Sequence, residues 1–298
     1  DMYNIRFSLA VCDKNRRYAS SEYAHSLGVK TLEVQHHKAH FLSLLFEKDM
    51  LDADALGVIW DGTGLGDDGK VWGSEFFVKR NYEITRVASL PSFWIIGGEK
   101  AAKEPYKCAI SLLLSFDKQK EAVEFSNKIG LTEDESGLLF DAFERKINCY
   151  ETSSMGRLFD GIAALIGVVD KDSYDGESGL MIESLYDGEE FFECEPLDIE
   201  ALLGLILLET KAAKAATKFI NTLSRWIVAV SSAYDLPVCC SGGVFQNVAL
   251  VSAVKKECAR LDRRVIFHSK FSPNDSSISI GQAAFAKLYF DGKIKENI

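Results

Sequence analysis

A pattern that occurs twice, once near each end, most constrains what this chain can fold into. Near the start, a β-type run at 7–12 gives way to a polar turn at 13–17. A helix-compatible stretch at 18–26 follows, then a second strand at 31–35 and an apolar helix at 40–46. Near the end, a strand at 237–240 leads through a glycine-bearing loop to a helix at 248–261. A strand at 264–268, a polar loop and a last helix at 278–289 complete the unit. Both units run strand, loop, helix, strand, loop, helix. Strands joined in this way pair in parallel with right-handed crossovers, so the repeat predicts two lobes of related topology.

Between the units, a strand at 55–60 runs into a glycine- and aspartate-rich turn at 61–69, and 72–78 and 84–90 read as two further strands of a meander. The expectation is a partial first lobe over 1–54 and a second lobe over 55–298. The second lobe holds the meander, a helical insertion at about 98–208, an amphipathic helix at 209–232 and the closing unit. This is the two-lobed α/β arrangement of the actin-like, sugar-kinase and Hsp70 superfamily. That fold opens its first lobe with three strands, and Asp1 stands close to what would be the fourth. A first lobe lacking its opening strands, as a natural or excised piece, is therefore expected.

Composition narrows the chemistry. A formal charge of −10, from 34 basic and 44 acidic residues, opposes binding to a phosphate backbone, which depends on clustered Lys and Arg. No apolar run reaches the roughly 18 residues that span a bilayer, so no membrane partner is expected. The seven cysteines are odd in number and lie in apolar or helical stretches, which predicts reduced thiols in a cytoplasmic protein. No Cys-x-x-Cys pair occurs, so any metal would be held by His and carboxylate.

His36-His37-Lys38-Ala39-His40 stands where a strand hands over to a helix. His36 and His40, four apart, project from one face of a first turn, which is a chelating geometry. A lone histidine there is ordinarily solvated, but three of the chain's five histidines fall within this run. Asp275 occupies the equivalent loop of the second unit, and a pseudo-twofold relation between the lobes would carry it across the cleft to the His pair. Its competing role is an N-cap ahead of Ser276 and Ser277. Asp61 ends the first strand of the second lobe and would point into the same cleft, although aspartates beside glycine also form turns. Two imidazoles and two carboxylates suit one Zn²⁺ or Fe²⁺ better than Mg²⁺ or Ca²⁺.

The Gly242-Gly243 pair follows a strand and opens a helix, so its amides can approach a nucleotide without interference from a Cβ. A tight strand-to-helix turn is the plain alternative. Asp160, in an apolar helical stretch, is placed either to accept from ribose hydroxyls at a cleft edge or on a solvated face.

Taken together, these motifs resemble a family. They are Val34-Gln35-His36-His37-Lys38-Ala39-His40, the 61–69 turn with Trp72-Gly73-Ser74-Glu75-Phe76, Gly97-Gly98 with Glu104-Pro105, the 152–160 segment, Ser241-Gly242-Gly243-Val244-Phe245-Gln246-Asn247, and Pro273-Asn274-Asp275 with Gly281-Gln282. In unbroken order over about 8–288, the chain is similar to the carboxy-terminal carbamoyl-transfer domain of the hydrogenase-maturation family HypF. That family is related to the tRNA threonylcarbamoyl-transfer protein TsaD and to antibiotic O-carbamoyltransferases.

The resemblance implies an ATP-dependent carbamoyltransferase. ATP and a carbamate-level donor would form carbamoyl-adenylate, and the carbamoyl group would pass to the C-terminal cysteine of HypE on the way to the cyanide ligands of nickel-iron hydrogenases. It assigns His36, His40, Asp61 and Asp275 to the metal. It assigns Asp160, Gly176, Gly242, Gly243 and Asn247 to the nucleotide, and Gly62, Thr63 and Gly64 to the surroundings of the reacting phosphate and carbamoyl group. Departures at Asn15-Arg16 and over 174–179 bear on the substrate pocket. The acylphosphatase, zinc-finger and YrdC-like regions of a full HypF are not in this sequence, so this chain alone is not expected to use carbamoyl phosphate from start to finish. ATP is expected to bind it weakly. Two other readings stand beside this one. The first is TsaD-like tRNA modification, opposed by the charge of −10 and by the Asp61-Gly62-Thr63-Gly64 loop. The second is a non-catalytic docking lobe.

Overall fold

The computed structural model describes residues 7–169, 171–174 and 176–295. The chain's opening, on which the expectation of a shortened first lobe rests, lies outside them, as does Asp175 of the 174–179 segment. The first unit forms as its punctuation predicts: β1 (Leu9–Asp13) and β2 (Lys30–Val34) pair in parallel across the helix α1 (Ala19–Ser26). The helix α2 (His36–Glu47) begins four residues before the apolar run, with the Gln35 side chain accepting from the Lys38 amide at its N-terminus. The three histidines are therefore the first turn of the helix itself. Every residue of α2 from His36 to Leu45 is buried, so the helix is covered on all sides.

The strands β3 (Ala55–Leu65), β4 (Val71–Arg80) and β5 (Glu83–Ala88) form the antiparallel meander. β3 extends past the expected 55–60 to Leu65, with a register shift between Trp60 and Gly64. Asp61 is thus a strand residue, and the turn proper is 66–69, where the Gly69 amide donates to the Gly66 carbonyl. β6 (Phe93–Ile96) was not expected, and neither was β7 (Cys149–Thr152), which lies inside the predominantly helical 98–208 stretch. Each is four residues long, too short for alternation to show.

The rest of that stretch is α3 (Pro105–Ser115), α4 (Gln119–Lys128), α5 (Glu133–Glu144), α6 (Met155–Leu165), α7 (Glu177–Ser184) and α8 (Ile199–Leu208). The helix α9 (Ala212–Ser231) returns to the closing unit of β8 (Val238–Ser241), α10 (Val248–Arg260), β9 (Val265–Phe267) and α11 (Ile278–Phe290). The larger sheet runs β6-β7-β4-β3-β8-β9, with β5 beside β4. β3–β8 and β8–β9 are parallel pairs.

The period of two along β3 separates two cores. Leu56, Val58 and Trp60 pack with α3, α6, α9 and α10, while Ala55 and Ile59 pack with Phe41, Leu42 and Leu45 of α2 and Phe285 and Leu288 of α11. Burial of each large apolar side chain here is worth roughly 1.5–3 kcal/mol. A Cβ on Gly281 of α11 would lie 1.9 Å from the Ala39 carbonyl oxygen, so glycine is what lets α11 cross α2 at backbone contact between His36 and His40. No helix among the described residues is long and apolar enough to cross a membrane.

Candidate metal and nucleotide site

Three elements bring four side chains to one point. α2 supplies His36 and His40, β3 supplies Asp61, and the 3₁₀ turn Asp275–Ser277 ahead of α11 supplies Asp275. One potential ligand atom from each lies within 4.8 Å of all the others. His36 Nε2 is 3.4 Å from Asp61 Oδ2 and 3.6 Å from Asp275 Oδ1, and His40 Nε2 is 3.7 and 3.4 Å from the same two atoms. Both Nε2 atoms are buried and have no hydrogen-bond partner among the described residues. Buried polar atoms left in this state are costly, and a divalent cation at the centre would satisfy them, so the residues present fit the metal.

Electrostatics agree. Burial alone would lower the His36 pKa, but the carboxylates of Asp13, Asp275 and Asp61 raise it well above the ordinary value, and Asp275 and Asp61 likewise raise His40 against its burial. Burial would raise Asp61, yet the two imidazoles hold it well below the usual carboxylate range. The two imidazoles hold Asp275 low as well. The pocket is built around positive charge between carboxylates, which protons or a dication can supply.

The alternative roles of the two aspartates are resolved. Asn274, not Asp275, caps the 3₁₀ turn, its side chain accepting from the Ser276 amide. Asp61 forms no turn: it is buried, and its Oδ1 accepts from the Gly243 amide at 2.9 Å. The glycine loop is thereby tied directly to the cluster.

Sequence reasoning missed Asp13. Its Oδ2 accepts from His36 Nδ1 at 2.9 Å, which fixes the tautomer and presents Nε2 to the other three residues. Asp13 is the last residue of β1, the kind of strand-end position at which Asp61 was expected. Ser154 was missed as well; its hydroxyl donates to the Gly62 carbonyl at 2.5 Å and holds the strand after Asp61.

A cleft of about 620 Å³ opens beside the cluster and is lined by Asp61, Gly62, Thr63, Asp160, Gly176, Gly243, Asn247 and Asp275. That volume suits a nucleotide-sized ligand. Asp160 is buried and paired with Arg157 Nε at 2.7 Å, so it is not on a solvated helix face. Gly64 and Gly242 are not in the lining. A Cβ on Gly64 would sit 2.5 Å from His37 Cε1 and 2.7 Å from His36 Cδ2. Gly242 has φ 104°, and a Cβ there would meet the Trp60 carbonyl oxygen at 2.2 Å. Both glycines are needed behind the site. Asn247 caps α10, accepting from the Leu250 amide and donating to the Gly179 carbonyl, each at 2.9 Å.

Comparison with known proteins shows the family. Residues 57–282 match the family described as "Carbamoyltransferase, Kae1-like Domain, second subdomain", and residues 1–47 match "HypF Kae1-like domain". Carbamoyltransferase HypF of Synechocystis sp. is 30% identical over 94% of this chain and 40% of its own length. The carbamoyltransferase HypF homolog of Cupriavidus necator is 28% identical over 86% of this chain and 71% of its own. A crystal structure of full-length HypF in the phosphate- and nucleotide-bound form superposes with a TM-score of 0.88 at 31% identity, covering 97% of this chain and 40% of that one. The chain thus spans about two fifths of the length of the first of these relatives. It belongs to the HypF family, whose Kae1-like domain it carries.

Proposed function

We propose that this chain is the carbamoyl-transferring part of a HypF-type protein, holding ATP and one Zn²⁺ or Fe²⁺ in the cleft. The observation that carries the reading is the convergence of His36, His40, Asp61 and Asp275 within 4.8 Å at the edge of a nucleotide-sized cleft. A metal bound there would act as a Lewis acid that orients phosphate oxygens and offsets their charge.

The chain's own residues do the rest. Gly62, Thr63 and Gly243 line the cleft, the Gly243 amide holding Asp61 rather than the ligand, and the buried Asp160 would accept from ribose hydroxyls. In the reaction, a carbamate oxygen attacks the α-phosphorus and pyrophosphate leaves, giving carbamoyl-adenylate. The thiolate of the C-terminal cysteine of HypE then attacks the carbamoyl carbon and AMP leaves. Walls on both sides of the cleft limit hydrolysis of the adenylate. All seven thiols are free, which supports a reducing, cytoplasmic setting. We take 1–54 and 55–298 as the two lobes.

The test supplies the metal-loaded chain with carbamoyl-adenylate and a HypE-derived peptide ending in cysteine. The expected product is the peptide heavier by one carbamoyl group. A folded, metal-loaded chain that leaves the peptide unmodified would overturn the reading. The charge of −10 weighs against tRNA as the acceptor.

A further inference from the structure

α2 carries His36 and His40 at one end and Glu47 at the other, where the Glu47 side chain is only 1% exposed. Glu47 Oε1 accepts from the Ser269 amide at 2.7 Å, the Ser269 hydroxyl at 2.9 Å and the Lys270 amide at 3.1 Å. Oε2 accepts from the Phe271 amide at 3.2 Å and lies 2.7 Å from His268 Nδ1. Lys48 Nζ is 2.7 Å from Oε1. His268 Nε2 in turn lies 3.0 Å from Ser241 Oγ. One buried carboxylate thus gathers the whole 268–271 segment onto the C-terminus of α2.

Hydroxyl, imidazole and carboxylate in this order have the spacing of a nucleophilic triad. Two observations oppose that role. Ser241 is fully buried. The Gly242 and Gly243 amides that could stabilise an oxyanion already donate to the Pro273 carbonyl and to Asp61 Oδ1, at 2.9 Å each.

Both branches from Glu47 lead to the cluster instead. Through Ser269, Lys270 and Phe271, Glu47 fixes the start of the loop that carries Pro273, Asn274 and Asp275. Through His268 and Ser241 it fixes the end of β8, where Gly242 and Gly243 begin and where Gly243 bonds Asp61. The helix bearing the histidines is therefore clamped, at its far end, to the two segments that present and hold the aspartates.

We propose that Glu47 is a positioning residue for the metal cluster, setting the separation between the α2 histidines and the Asp61 and Asp275 carboxylates through His268 and the 269–271 backbone. The inference rests on the metal reading above. A charge-assisted hub of this kind has little slack, and Glu47→Gln keeps its shape while removing acceptor capacity.

The test loads the whole chain with Co²⁺ and records the visible d–d spectrum, with affinity measured by chelator competition. Glu47→Gln, folded by circular dichroism, is expected to show an altered spectrum and Co²⁺ binding weaker by about ten-fold or more, the size of effect typical of outer-shell changes. His268→Gln cuts one branch only, and its spectrum is expected to move less; if Glu47→Gln does not fold, the shift in His268→Gln decides between the two roles. Unchanged spectra and affinities in folded variants, with only thermal stability reduced, would make Glu47 a structural residue and overturn the inference. Failure of the unsubstituted chain to bind Co²⁺ at all would overturn the metal reading itself, and this inference with it.

Discussion

His36 is held from behind and His37 is turned aside. Asp13 accepts a hydrogen bond from His36 Nδ1, while His37 Nδ1 accepts from Gln35 Nε2 at 3.0 Å and the ring stays outside the four-residue cluster. His40→Ala should therefore weaken metal binding by about 100-fold or more, as loss of a ligand does at least as much as loss of its outer-shell partner. His37→Ala should change affinity only a few-fold; equal losses in a calorimetric titration would contradict the assignment. Glu47 gives a pH signature. Burial would raise its pKa, but Lys48, His268 and the backbone amides hold it well below the usual carboxylate range. A depressed pKa contributes stability that is fully present above the unfolded value of about 4.3 and is lost as pH falls below it. The stability gap between the native chain and Glu47→Gln, from denaturant melts, should shrink as pH falls from about 4.3 toward about 3, below the range in which His268 titrates. A gap that grows on acidification would rule this out.

Each element of the site turns on a backbone detail. α2 starts early enough to make the histidine run its first turn, and β3 runs through Asp61 because the turn falls at 66–69. The periodicity of 55–60 and 40–46 was legible in the sequence, whereas helix starts and strand ends depend on caps and register that tertiary contacts decide. β6 and β7 were not legible, because four-residue strands carry too little pattern. The glycines divide by what surrounds them. A Cβ on Gly62 meets nothing within 4 Å, while one on Gly242 strikes the Trp60 carbonyl from a left-handed φ. Gly242→Ala should cost more than about 3 kcal/mol or prevent folding, combining a steric clash with backbone strain. Gly62→Ala should leave the melting temperature within about 1 °C while weakening ATP binding, since its new methyl projects into the cleft that Gly62 lines. Equal melting temperatures for the two variants would contradict this division.

At the scale of the whole molecule, the duplicated strand–helix order by itself places Asp275 opposite the histidines, and the distances of 3.4 and 3.6 Å agree with that symmetry argument. The surrounding contacts were not legible: those of Asp13, Glu47 and His268 join segments as far apart as 224 residues, which no local pattern announces. Together the parts describe a fold in which α2, β3 and the turn before α11 converge on four candidate metal ligands. X-ray absorption at the zinc edge, on the chain loaded with one equivalent of Zn²⁺ and dialysed, tests this most directly. One retained metal is expected, with nitrogen and oxygen neighbours at about 2.0–2.2 Å, including imidazole scattering. Sulfur neighbours at about 2.3 Å, the distance of a zinc–thiolate bond, would place the metal on the chain's cysteines and contradict it, as would no metal retained after dialysis.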